Sequence, residues 1–150
     1  MAKVNIVHGS GGGNTEIVCE RVAELLAEKK HKVTLLRAKS TEPKEALDCD
    51  VLLLGSPTYG HGLLESYFEK FLKKLEGEDL EGKKCVAIGL GDPKYDPDYH
   101  IEAARVIVRF LREKGAAHVY RPLMISKSPF PYLEDFIPKW VDGLHNALNG

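Results

Sequence analysis

Apolar runs alternate along the chain with stretches in which apolar residues recur every three or four positions. The runs suit buried strands and the recurring stretches suit amphipathic helices. Strands are predicted over about Lys3–His8, Lys32–Arg37, Val51–Gly55, Lys84–Gly89 and His118–Ile125. Val51–Gly55 shows no polar alternation, which is how a strand covered on both faces reads. Helices are predicted over about Thr15–Lys29 and Asp98–Lys114, the second ended by Gly115. A third spans the stretch carrying Leu64, Tyr67, Phe68, Phe71, Leu72 and Leu75. The last covers about Leu133–Leu148, with Phe136 inward and Pro138 near its start. A short helical turn follows Pro43, a favourable first helical residue.

Strand and helix alternate throughout, so the fold class is α/β: one domain spanning 1–150, with a parallel sheet covered by helices on both faces. Ligands bind such sheets beyond the carboxyl ends of the strands, where the strand order reverses. The loops after strands one, three and four are therefore the informative ones.

The first loop is Ser10-Gly11-Gly12-Gly13-Asn14-Thr15, leading into a helix. Three glycines let the backbone turn its N–H groups toward an anion, and the helix N-terminus adds free donors. A triphosphate loop requires a lysine that is absent here. Gly9-Ser10-Gly11 opens a dinucleotide fingerprint, but the closing position lacks glycine. A cradle of neutral donors suits a single monophosphate ester. The second loop, Gly55-Ser56-Pro57-Thr58-Tyr59-Gly60-His61-Gly62, and the third, Gly89-Leu90-Gly91-Asp92-Pro93-Lys94-Tyr95-Asp96, each carry an aromatic residue at the same sheet edge. Tyr59 and Tyr95 are placed to close on the two faces of a flat ring, a contact worth about 0.5–1.5 kcal/mol per pair beyond burial.

These three loops, in this order and spacing, resemble the FMN loops of the flavodoxins, and the resemblance runs the length of the chain. The direct passage from strand five through Ser126–Pro131 into the last helix resembles the short-chain form. The resemblance implies a five-stranded parallel sheet in order 2-1-3-4-5, non-covalently bound FMN, and low-potential one-electron traffic with a reductase and an acceptor rather than catalysis. It implies that Ser10, Gly11, Gly12, Gly13, Asn14 and Thr15 hold the phosphate and that Thr58 lies on the phosphate–ribityl side. Tyr59 would cover the inner ring face and Tyr95 the outer. Gly91 and Asp92 would meet the pyrimidine edge, and a peptide flip at Gly60–His61 would present a carbonyl to ring N5. Ser56, Pro57, Gly62, Gly89 and Leu90 complete the expected wall. Three departures stand out: Gly12 where the family usually has Thr, His61 where an acid is common, and a nearly neutral chain where carriers of the family are acidic.

Composition bounds the remaining choices. Formal net charge is −1, so no strong field steers the chain toward nucleic acid or an anionic membrane. Low net charge predicts mild salt dependence of docking. No run of 18 or more apolar residues spans a membrane, and the N-terminus reads as a strand rather than a signal peptide. Cys19, Cys49 and Cys85 form no C-x-x-C pair, which fits reduced core thiols in a cytoplasmic monomer and gives no metal signature. Two other readings share the fold. An NAD(P)H-dependent quinone reductase would need room above the ring, which Tyr95 opposes; a flavin module of a larger reductase would carry the same site. A signalling receiver domain needs an acidic pair after strand one, where Gly9-Ser10-Gly11 stands.

Overall fold

The computed structural model describes residues 1–9, 13–94 and 96–149, with the backbone alone for His61. The order is β1 (Lys3–His8), α1 (Asn14–Glu28), β2 (Lys32–Arg37), α2 (Pro43–Leu47), β3 (Val51–Tyr59), β4 (Leu63–Leu64), α3 (Ser66–Leu75), β5 (Lys84–Gly91), α4 (Glu102–Glu113), β6 (Ala117–His118), β7 (Leu123–Ser126) and α5 (Phe136–Asn149). The sheet runs β2-β1-β3-β5-β6, with β7 also on β5 and β4 on β3. Every pairing is parallel except the two-residue β3–β4 ladder. This is the expected 2-1-3-4-5 order, with the fifth strand divided into β6 and β7.

The division has a local cause. Pro122 has no N–H to give a ladder. Beside it, Tyr120 packs on Trp140 at 5.7 Å between ring centroids, and the Trp140 indole N–H donates to the Arg121 carbonyl at 3.0 Å. After Val119, whose N–H still donates to the Cys85 carbonyl of β5, the backbone at Arg121 is held by α5.

The apolar run of β3 splits between two cores because successive side chains point to opposite faces. Val51 and Leu53 join Val18, Val22, Leu26, Ile137, Trp140 and Leu144 under α1 and α5. Leu52 and Leu54 join Phe68, Phe71, Leu75, Ile107 and Leu111 under α3 and α4. All eleven aliphatic and aromatic helix residues named here are at most 2% exposed, so burying each contributes about 1.5–3 kcal/mol relative to leaving it in water.

Several boundaries differ from those expected. Tyr67 leaves the inner face of α3 and is 43% exposed, with Lys39 and Lys70 amines 5.1 and 5.6 Å from its ring centre. Leu64 is buried, but in β4 rather than in a helix. Helix α4 starts four residues later than expected, because Asp96 Oδ1 accepts from the Tyr99 N–H and holds a turn there. Helix α5 begins at Phe136, which is exposed, and Pro138 takes its third position, where a missing N–H breaks no helical bond. Strands β3 and β5 run on to Tyr59 and Gly91, carrying the loop residues out over the sheet edge.

Candidate functional site

The carboxyl ends of β1, β3, β5 and β7 meet above the sheet and enclose a cavity of about 750 Å3. Its wall includes Asn14 and Thr15 from the start of α1, Pro57, Thr58, Tyr59 and Gly60 from β3 and the turn after it, and Leu90, Gly91 and Asp92 from β5. Nine of the expected binding residues are thereby brought together from three separate loops.

At one end of the cavity lies the N-terminus of α1. Gly13 occupies the N-cap with φ of 86°, a left-handed conformation that glycine adopts without strain. Among the described residues no side chain caps this helix, and its first internal bond runs from the Ile17 N–H to the Gly13 carbonyl at 3.0 Å. The amide groups of the first turn are left to an outside acceptor, with the positive end of the helix dipole behind them. Thr15 is buried in this turn. Ser10, Gly11 and Gly12 lie outside the described residues.

The β3 wall is tied down from behind. The Ser56 hydroxyl donates to the Pro57 carbonyl at 2.9 Å and accepts from the Glu65 N–H at 3.2 Å. Glu65 is itself buried, and its carboxylate accepts from the Tyr67 and Phe68 N–H groups, capping α3. Thr58 Oγ1 accepts from the Ala103 N–H at 2.9 Å and so caps α4 from a neighbouring strand. Its own hydroxyl proton stays available to a ligand. Tyr59 is 41% exposed on the cavity rim. Partial burial, with Glu65 nearby, raises its phenol above the ordinary range. Ser56, Gly62 and Gly89 stand behind the wall rather than on it: Gly62 lies against Glu102 and Gly89 against Ala104.

The β5 wall is closed by the chain that follows it. Asp92 Oδ1 accepts from the Lys94 N–H at 2.8 Å, starting a series of turns that returns to Gly91 at His100. Tyr95, the expected outer ring cover, lies outside the described residues, and of His61 only the backbone, in a single 3-10 turn, is described.

Four wall residues stand outside the expected binding set: Asp96, at the end of the third loop, and His100, Lys127 and Ser128. Lys127 and Ser128 follow the fifth strand, so the rule that directed attention to the ends of strands one, three and four applied equally there. Nothing in the spacing marks His100; it enters the wall only because the 92–101 segment folds back.

Beneath the site, His8 ends β1 and is buried on the α1 side, where burial lowers its pKa despite the opposing influence of Glu16. Its Nδ1 is the single buried side-chain nitrogen or oxygen without a hydrogen-bond partner among the described residues.

Donor set, cavity size and aromatic rim all fit FMN: drug-sized and cofactor ligands occupy clefts of about 300–1,000 Å3. Comparison with known proteins agrees. The flavodoxin family model matches residues 6–136. A flavodoxin of Maridesulfovibrio salexigens is 33% identical over 151 residues, covering 99% of this chain and all of that protein. Flavodoxin 1 of Escherichia coli strain K12 is 32% identical over 119 residues, covering 79% of this chain and 66% of its own. The crystal structure of oxidised flavodoxin 2 from Bacillus cereus superposes with a TM-score of 0.83 at 32% identity, covering 99% of this chain and 98% of that one. A short-chain flavodoxin associated with a bacterial microcompartment has the same fold, with a TM-score of 0.87 at 24% identity. The fold, the uncapped helix over the cavity and these likenesses together place the chain in the flavodoxin family.

Proposed function

We propose that this cavity holds FMN with its phosphate on the first turn of α1 and its ring between β3 and β5, as the electron-carrying site of the protein. The chain is an FMN-dependent electron carrier of the flavodoxin family and not an enzyme in its own right. One observation carries the site assignment: the uncapped N-terminus of α1 opens into the same cavity as Tyr59 and Gly91.

When bound, FMN supplies a ring that accepts and releases electrons one at a time. The chain's own residues do the rest. Ser10 to Thr15 offer neutral donors to a phosphate, so the site accepts the dianion without a lysine. The Thr58 hydroxyl, fixed by Ala103, offers its proton on the ribityl side. Tyr59 and Tyr95 cover the ring and exclude water, which raises the cost of negative charge on it. Gly60 lets the peptide before His61 turn its carbonyl toward the ring at low backbone cost. Gly91 and Asp92 meet the polar ring edge.

The carrier works as a cytoplasmic monomer whose redox partners dock transiently, as electron-transfer interfaces do; three free thiols support a reducing compartment. Purified protein, incubated with FMN and desalted, should be yellow with one flavin per chain. A colourless protein overturns the proposal. NAD(P)H should not be consumed at an appreciable rate without an added reductase, and a protein that oxidises it alone is a reductase instead.

A further inference from the structure

We propose that the groove between α4 and β7 is a docking surface for an acidic redox protein, placing that partner's carboxylates on Arg105, Arg109 and Arg112. The proposal rests on the carrier reading above for its purpose, but not for its geometry.

Charge in this chain is segregated. Residues 103–133 carry six of the 21 basic residues and a single one of the 22 acidic residues, Glu113. The rest therefore holds 15 basic and 21 acidic residues, so near-neutrality is the sum of a basic edge and an acidic remainder. Arg105, Arg109 and Arg112 are spaced so that they rise along one face of α4, over about 10 Å at 1.5 Å per residue. Arg105 and Arg109 side chains are each 64% exposed and share one carboxylate, Glu102, at 3.4 and 3.9 Å. With one negative charge between two guanidinium groups, much of their bidentate donor capacity remains for a further carboxylate.

Between this row and the sheet edge lies a groove of about 350 Å3, floored by Val108, Pro122 and Met124. Met124 is 36% exposed although its strand neighbours Leu123 and Ile125 are fully buried. A polar rim around a small apolar floor is the make-up of a protein–protein contact. An extended polyanion fits less well, because beyond the patch it would meet the acidic remainder of the molecule.

The patch is also continuous with the flavin cavity. From Met124 the strand leads in three residues, about 10 Å, to Lys127, which lines the cavity. Lys127 has φ of 69° and its N–H donates to the Gly91 carbonyl at 2.7 Å, turning the basic edge onto the cavity rim. On that rim Lys127 shares the wall with Asp92 and Asp96, so the basic edge reaches the cavity at its β7 side.

The test uses FMN-loaded protein and a photoreduced, acidic [2Fe–2S] ferredoxin as the electron donor, followed by stopped-flow absorbance. At about 10 mM salt, where the Debye length is about 30 Å, the triple variant R105E/R109E/R112E should accept electrons at least tenfold more slowly than wild type. At about 1 M salt, where charges are screened within about 3 Å, the difference should shrink to less than threefold. The variant K44E/K73E/K74E, which reverses three exposed charges on the α2–α3 side, should slow the reaction less than threefold. Equal slowing by the two variants, or none by the arginine variant, overturns the proposal. Should the protein take up no FMN, the carrier reading fails by itself. The amide signals of residues 105–112 and 124, with oxidised ferredoxin added, then decide the docking separately: unmoved signals overturn it. Salt-sensitive self-association that the arginine variant abolishes, seen by sedimentation velocity, would make a second copy the occupant and overturn it too.

Discussion

A Cβ built on Gly91 would lie 1.0 Å from the carbonyl oxygen of His100. The two residues are nine apart in sequence, yet the backbone of one occupies the side-chain position of the other. The strand end at Gly91 and the return of the 92–101 segment are therefore one device. The glycine is what permits the segment to close the β5 wall of the cavity.

Substituting Gly91→Ala forces that segment outward, since backbone cannot share space with a methyl group. Helices and sheet should form as before, because the remaining β5 pairings do not involve the new side chain. FMN binding, read from quenching of flavin fluorescence, should weaken at least tenfold, equivalent to about 1.4 kcal/mol. A dissociation constant within twofold of wild type would show that the fold-back does not shape the cofactor wall.

Thr58→Val keeps the shape of the side chain and removes the acceptor for the Ala103 N–H. Loss of a cap at a helix start costs about 1 kcal/mol. Urea unfolding of the apoprotein should show that loss, and Thr58→Ser, which keeps the oxygen, should recover most of it. Equal stability of the Val and Ser variants would mean that α4 does not depend on this bond.

Local chemistry explains which parts of this architecture could be read from the chain. The strands at Lys3–His8 and Lys32–Arg37 appear with the expected bounds because each is a short run rich in Val, Ile and Leu beside the strong helical pattern of α1. The fifth strand was expected whole. Its division depends on Trp140, which is 18 residues beyond Pro122 and reaches the Arg121 carbonyl only in the folded molecule. Tyr67 fitted the spacing of an inward residue, but two lysine side chains meet it at the surface. At the site, glycine and aromatic composition pointed to the three loops. It did not point to Glu65, a buried helix cap, nor to His100 and Lys127, which reach the cavity through a fold-back and a left-handed turn. Such contacts join residues whose types are ordinary and whose only distinction is position.

Thiol chemistry offers a separate check on the two cores. Burial pushes the Cys85 thiol up to about 12, with Cys49 adding to the rise and Lys83 opposing it. Burial likewise raises Cys19 far above the ordinary range, and raises Cys49 less completely sealed from solvent. Thiolate is the reactive form, so native protein at neutral pH should react slowly with an aromatic disulfide reagent. Cys49 should be the first residue modified, and all three should react at once in urea. Fast native labelling of Cys19 or Cys85 would mean that the sheet opens more readily than its packing indicates.

At the opposite end of the sheet from the cavity, His31 and His145 make a polar chain that Asn149 extends. The Ala2 N–H donates to His31 Nδ1 at 3.2 Å, so the His31 proton sits on Nε2 and points at His145 Nδ1, 2.8 Å away. A further proton on His31 Nδ1 sets its N–H against that of Ala2. Burial, followed by the neighbouring His145, accordingly lowers the His31 pKa below its usual 6.5. Because the folded value lies below the unfolded one, the unfolded chain binds the proton first as pH falls. The contribution of this chain to stability is complete above about pH 6.5 and declines below it until the folded pKa is passed. His8 and His118 are also lowered and add to the same trend. The comparison that isolates His31 is the difference between wild type and His31→Leu. Between about pH 7.5 and pH 5.5, across the ordinary histidine range, the urea midpoint of wild type should fall further than that of the variant. Parallel declines would show that the ring pair carries no acid-sensitive share of the folding free energy.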